Sequence, residues 1–159
     1  MSDIDARYTT RLTTLEDLPA VSNLVWNVFD AFIAPDYASE GITEFQNFAQ
    51  VKSMRSRLED GALSIVCQTR TKIVGIIETR NNNHISLLFV AVKHQRCGIA
   101  RELLGQALEL MRSNDPLNKV ITVNASPSAE AAYQHLGFTA DGEWQVKNGI
   151  RYLPMKLIV

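Results

Sequence analysis

The chain has two cysteines, three histidines and no long apolar run, and each scarcity removes a class of protein. Cys67 and Cys97 form no CxxC pair, which argues against a disulfide scaffold, a zinc ribbon or a dithiol redox site. His84, His94 and His135 share no metal-ligand spacing, so no metal is expected. No apolar stretch approaches the ~20 residues of a membrane span. The opening MSDIDARYTT lacks the basic segment and apolar run of a secretory leader, so a cytoplasmic protein with free thiols is expected. Charge is balanced, with 16 basic against 17 acidic residues and a pI near 6.3. Nothing in that balance draws the chain to nucleic acid or to an acidic membrane, so any anion site must be local.

What remains is a chain of 159 residues, 46% hydrophobic and 21% charged, long enough to bury one core. With no repeat or linker, residues 1–159 read as a single domain. TTRL predicts a first strand, and Thr14 with Asp17 resembles a capping box ahead of Leu18, Val21, Val25, Val28 and Phe32 at helical spacing. IAPDYASEG reads as a loop and 42–57 as one helix. ALSIVCQT, KIVGIIET and HISLLFVAV read as strands, the last two joined as a hairpin through Arg80-Asn81-Asn82-Asn83. A helix over 98–113, the short strand KVITVN and a helix opening at Pro127 behind a Ser126 cap follow. Asn148-Gly149 marks a closing hairpin. The pattern is that of an α/β domain with a mixed sheet.

One junction carries chemistry. The apolar strand ISLLFVAV runs into the basic loop Gln95-Arg96-Cys97-Gly98, and a helix begins at Ile99-Ala100-Arg101. A helix N-terminus has unpaired N–H groups and a positive dipole end, which receive phosphate where side chains leave room. Gly98 has no Cβ, Ala100 is the next smallest choice, and Arg96 and Arg101 add charge. The motif is neither a P-loop nor a GxGxxG fingerprint. By itself the stretch fits helix punctuation with solvated arginines equally well.

Gln95-Arg96-Cys97-Gly98-Ile99-Ala100 also resembles the Q/R-x-x-G-x-G/A motif of the GNAT superfamily of acyl-CoA-dependent N-acetyltransferases. AAYQHLGF, from Ala131 to Phe138, resembles that family's A-x-x-Y-x-x-x-G-F signature, and the intervening strand ends at Asn124. Ala100 replaces the commoner second glycine, and Val92 stands where many members carry proline. The resemblance implies a mostly antiparallel sheet of about seven strands with about four helices, and a cofactor cleft where the fourth and fifth strands splay apart. Acetyl-CoA would lie there as cosubstrate. Its pantetheine arm would pair with the backbone of Leu88, Phe89 and Val90, and its pyrophosphate would rest on the amides of 96–101. A backbone N–H near Val90 would polarise the thioester carbonyl. Asn124 would bond the arm or a cleft water. A homodimer is a further expectation of the resemblance alone.

Acyl transfer to an amine needs a neutral amine, oxyanion donors and a proton for the departing thiolate. Tyr133, matching the family's tyrosine, is the expected acid, although its place on the apolar stripe with Ala129 and Leu136 also suits a core aromatic. Glu78, polar within GIIET, is named as the base, with solvent exposure as its plainer alternative. His84 and His94 read as turn or loop residues and His135 as a variable position. The acceptor would be contacted by the segment from Phe29 to Phe45, where Asp30, Asp36, Glu40 and Glu44 stand among aromatics. The leading reading is acetyl transfer to an amine of a small molecule or peptide. The alternative is a non-catalytic acyl-CoA-binding regulatory module that keeps the cleft.

Overall fold

In the computed structural model, which describes residues 6–159, eight strands form a sheet in the order β1-β2-β3-β4-β5-β8-β6, with β7 paired to β8 off that path. The strands are β1 (Thr9–Leu12), β2 (Leu63–Gln68), β3 (Ile73–Arg80), β4 (His84–Val90), β5 (Val120–Ala125), β6 (Thr139–Ala140), β7 (Gln145–Lys147) and β8 (Ile150–Ile158). Every ladder is antiparallel except β4 with β5. Both expected hairpins form, for a local reason. Asn81, Asn82, Asn148 and Gly149 all take positive φ, which these residue types tolerate and tight hairpin turns require.

Five helices cover the two faces. On one face lie α1 (Leu18–Phe32), α2 (Ser39–Ala49) and α3 (Val51–Glu59); on the other lie α4 (Ile99–Asn114) and α5 (Glu130–His135). Two cores result, because alternate strand residues point to opposite faces. Val66, Ile76, Leu87 and Phe89 pack under α1 with Val25 and Phe29. Ile65, Ile77, Ile85, Ile121 and Val123 pack under α4 with Ile99, Leu103 and Met111. Among the described residues no helix is long and apolar enough to cross a membrane.

Two expectations need correction. The single helix over 42–57 is two helices, because Gln50 is extended (φ −75°, ψ 153°) and the Ala49 carbonyl is taken by the Ser22 hydroxyl at 2.8 Å. Neither a proline nor a glycine announces this break. The helix expected at Pro127 starts at Glu130: Ser126 spends its hydroxyl on Ser128 (3.3 Å), and its carbonyl accepts the Ala129 N–H in a turn (3.0 Å).

The end of β1 is tied to the start of α1 by Asp17. Its carboxylate accepts both Arg11 terminal nitrogens, at 2.7 and 2.8 Å, and the Thr14 N–H at 2.7 Å. Chiefly through the Arg11 hydrogen bonds, its pKa falls to about 2 from an ordinary 3.8. A folded-state pKa below the unfolded one adds stability above pH 4 and loses it as pH falls toward 2. Asp17→Asn therefore lowers Tm at pH 7, and the gap from wild type closes between about pH 4 and pH 2, which calorimetric melts across that range will show.

Candidate active site

The site begins where β4 loses its neighbour. β4 and β5 pair only at His84–Thr122 and Ile85–Val123, and beyond Ile85 no ladder joins them. On its other edge β4 stays registered with β3, Ile76 opposite Phe89 and Gly75 opposite Val90. The Ala91 N–H donates to the Val74 carbonyl at 2.8 Å, so by antiparallel alternation Phe89 also bonds β3. The same alternation turns the N–H and C=O of Leu88 and Val90 away from β3, toward the open side. Phe89 is thus directed differently from Leu88 and Val90: its backbone serves β3 and its side chain packs against Phe45 at 6.0 Å.

The loop after β4 holds an anion cradle. Arg96 and Gly98 take positive φ (61° and 82°), and Gly98 caps α4. Among the described residues the N–H groups of Arg96, Cys97, Gly98, Ile99, Ala100 and Arg101 find no backbone acceptor, whereas the next, Glu102, bonds the Gly98 carbonyl at 3.1 Å. Six free amides at the positive end of a sixteen-residue helix form an anion site by physics alone. The cradle is braced from three sides. Gln95 Nε2 donates to the Val90 carbonyl (3.1 Å), and the Tyr8 hydroxyl bonds His94 Nδ1 (2.7 Å). Ile99 is fully buried against Gly75, where an added Cβ would lie 2.9 Å from Ile99 Cγ2. Arg96 is exposed and Cys97 half-buried, while Arg101 donates to the His135 carbonyl at 3.0 Å and joins α4 to α5.

That contact helps place Tyr133. The Phe138 and Leu136 N–H groups both donate to the Tyr133 carbonyl (3.0 and 3.1 Å), and Gly137 sits at φ +101°. This is a glycine-terminated helix end, and it folds Phe138 back edge-on to the Tyr133 ring at 5.4 Å. The signature's Gly-Phe therefore has a mechanical purpose: it locks the tyrosine ring. The Tyr133 side chain is buried, and burial lifts its phenol pKa well above the ordinary value. Among the described residues its hydroxyl finds no hydrogen-bond partner. Among the described residues Ser86 Oγ is the one fully buried side-chain polar atom without a partner, so the tyrosine hydroxyl keeps contact with open space. Asn124, on the β5 side of the gap, is exposed with its amide uncommitted.

Glu78 departs from its expected place. It is 5% exposed, not solvated, and Arg57 Nε donates to it at 2.7 Å. The same guanidinium donates to the Phe48 carbonyl (2.8 Å) and lies 3.7 Å from the Phe48 ring centroid. The carboxylate is thus held by a charge-assisted hydrogen bond beneath α3. His84 also departs from its expected place. It opens β4 rather than sitting in a turn, its Nδ1 bonds the Thr122 hydroxyl at 2.7 Å, and burial first, then Arg80, pushes its pKa down to about 4. Its place at the head of an alternating strand was the available signal. On the α1–α2 side, Phe29 and Phe45 stack at 4.1 Å as core, and Asp30, Asp36, Glu40 and Glu44 are all exposed.

The Arg57–Glu78 pair lends itself to a thermodynamic cycle. Removing one partner strands the other beneath α3, so Glu78→Gln and Arg57→Gln each cost on the order of 3 kcal/mol. The pair Arg57→Met with Glu78→Leu costs much less than the sum of the single changes, as read from urea unfolding.

Known proteins share this fold. Residues 33–159 match the family model described as an acetyltransferase (GNAT) domain. No curated protein matches the chain in sequence. Among solved structures, a GCN5-related N-acetyltransferase from Rhodopseudomonas palustris superposes with a TM-score of 0.82 at 18% identity, covering 98% of both chains. The PaiA N-acetyltransferase from Thermoplasma acidophilum, solved with coenzyme A, gives 0.78 at 13% identity over 96% of this chain and 99% of its own. A ribosomal-protein-alanine N-acetyltransferase from Brucella melitensis gives 0.69 at 22% over 95% and 99%. With most of its length matched by the family model and its open, largely antiparallel sheet shared with these structures, the chain belongs to the GNAT acetyltransferase family.

Proposed function

We propose that the protein transfers an acetyl group from acetyl-CoA to a primary amine of a small molecule or peptide, by direct attack and in the cytoplasm. The observation that carries this reading is the run of six free amides from Arg96 to Arg101 beside a β4 edge left unpaired. The relative solved with coenzyme A supports the same ligand here. Cys67 and Cys97 are both unpaired thiols, which suits a reducing compartment.

Acetyl-CoA, when bound, supplies the activated thioester. The amides of 96–101 hold the pyrophosphate, with Arg96 adding charge and Gly98 leaving room for approach. Leu88 offers both its N–H and its carbonyl to the pantetheine arm. Val90 offers its N–H, since Gln95 already occupies its carbonyl. An arm entering at the Val90 end meets that N–H first and the Leu88 N–H at its tip, where an oxyanion is stabilised by a donor already in place. Asn124 faces the arm from the β5 side.

Tyr133, kept protonated by burial, gives its proton to the departing thiolate. Glu78 lies beneath α3 in an ion pair with Arg57, and a water in the cleft takes the proton that the amine loses and passes it to solvent.

Calorimetric titration of coenzyme A tests the reading. The wild type is expected to bind at about micromolar strength. Gly98→Glu, which sets a carboxylate against the phosphates, abolishes binding while a melting curve confirms folding. No binding by the wild type rejects the reading. Tyr133→Phe is expected to lower kcat about a hundredfold and to leave coenzyme A affinity unchanged; an unchanged kcat removes Tyr133 as the acid.

A further inference from the structure

With coenzyme A on the α4 face, where the amide cradle stands, an acceptor reaches the cleft from the face that α1 and α2 cover. Strand register shows what borders the opening there. Ile85 pairs with Val123 and Val123 with Met155, so three residues farther along Leu88 is level with Tyr152. β5 ends between them at Ala125, opposite Leu153, and β8 runs on beside β7 to the Asn148-Gly149 turn. The wall facing the open stretch of β4 is therefore β8 and its hairpin.

α2 stands on the β4 side, where Phe45 packs against Phe89 at 6.0 Å. One helical turn before Phe45, the buried Gly41 meets the tip of the hairpin. A Cβ added at Gly41 would overlap the Gly149 carbonyl, and one added at Gly149 would lie 2.7 Å from the Gly41 nitrogen. The Ala38 N–H, just ahead of α2, donates to the same Gly149 carbonyl at 3.0 Å. Gly149 has a second reason to be glycine, its φ of +78°. Gly41 sits in the first turn of a helix, where glycine is a poor choice, so the close approach is what calls for it.

These contacts close a ring around the acceptor side of the cleft. It runs from β4 through Phe89 and Phe45 to α2, and across Gly41 to Gly149. It then follows β8 to Pro154, opposite Asn124, and returns to β4 through the Ile85–Val123 pair. Strand ladders and aromatic packing hold the rest of the ring, whereas the glycine clasp is two backbones joined by one hydrogen bond.

We propose that the Gly41–Gly149 clasp sets the width of the acceptor, which makes these two glycines specificity-determining residues. An amine at the tip of an unbranched chain passes through the ring to the Leu88 N–H, and an amine carried next to a branch point does not. This rests on the acetyl-transfer reading and adds the acceptor's class to it, a slender primary alkylamine.

Two conjugates test the clasp, each joining the coenzyme A sulfur through an acetyl bridge to the nitrogen of an amine. One carries octylamine and the other its branched isomer 2-propylpentan-1-amine, so they differ in width and not in carbon count. Calorimetry reads their binding without any need for turnover. The wild type is expected to bind the octylamine conjugate about tenfold more tightly than its isomer. Gly41→Ala forces the clasp apart from the helix side. Ala38→Pro opens it by another route, since a φ of −70° already suits proline and the hydrogen-bond donor is lost. Each variant is expected to bring the two affinities within about twofold by gaining affinity for the branched conjugate, and the double variant adds little because one contact is opened twice. Coenzyme A alone binds wild type and variants alike. A wild type that binds the two conjugates equally, or a folded variant that keeps the gap, overturns the width filter and leaves the transfer reading in place. A wild type that binds no coenzyme A rejects both. Ala38→Pro carries the test if Gly41→Ala does not fold.

Discussion

The site depends on one constraint: the ladder between β4 and β5 stops after Ile85–Val123. A strand in mid-sheet ordinarily spends its N–H and C=O groups on both neighbours, because leaving them bare in a desolvated place is costly. β4 is released from that requirement on one edge only. Its grip on β3 continues up to the Ala91–Val74 bond, which keeps the free edge straight and aimed. One of the freed groups, the Val90 carbonyl, is already satisfied by Gln95, and this ties the end of the strand to the loop that carries the amide cradle. Cleft and cradle are therefore one construction. A change that let β5 zip up against β4 would remove both the edge and the space before it.

Holding six amides without an internal acceptor also requires a loop that does not relax into ordinary turns. The positive φ values at Arg96 and Gly98 set the amide directions, and the surroundings enforce them. Ile99 is locked into the core through the absence of a Cβ at Gly75, and His94 is held by Tyr8. The pattern repeats at α5, where Gly137 lets Phe138 turn back on Tyr133. In each case a glycine with no chemistry of its own fixes a neighbour that has some.

How much of this is legible in the sequence follows from how local its causes are. The hairpins announce themselves in Asn81-Asn82 and Asn148-Gly149, since positive φ is a property of the residues themselves. The cradle is legible because its loop and helix are contiguous, and the signature around Tyr133 because the helix end is built within eight residues, Ala131 to Phe138. What pattern reading loses is whatever two distant segments decide together. The break at Gln50 depends on Ser22 reaching Ala49, 27 positions on. Glu78 looks like an isolated polar residue in a strand until Arg57, 21 positions before it, is brought over it by α3. His84 seems a turn residue until Thr122, 38 positions away, supplies its hydrogen bond.

The Arg57–Glu78 pair shows why such long-range polar contacts are informative. A buried ion pair is a poor device for stability, because desolvating two charges consumes most of what their attraction returns, and apolar residues of similar size often serve equally well. At this position β3 is otherwise continuous apolar surface: Ile76 and Ile77 precede Glu78 and are buried in the two cores. A leucine would extend that pattern without cost. A carboxylate here instead fixes a guanidinium over the Phe48 ring, where the Phe48 carbonyl also holds it. The pair thus ties α3 to β3 and to the end of α2 through one guanidinium, a connection that apolar side chains at the same positions would leave to shape alone.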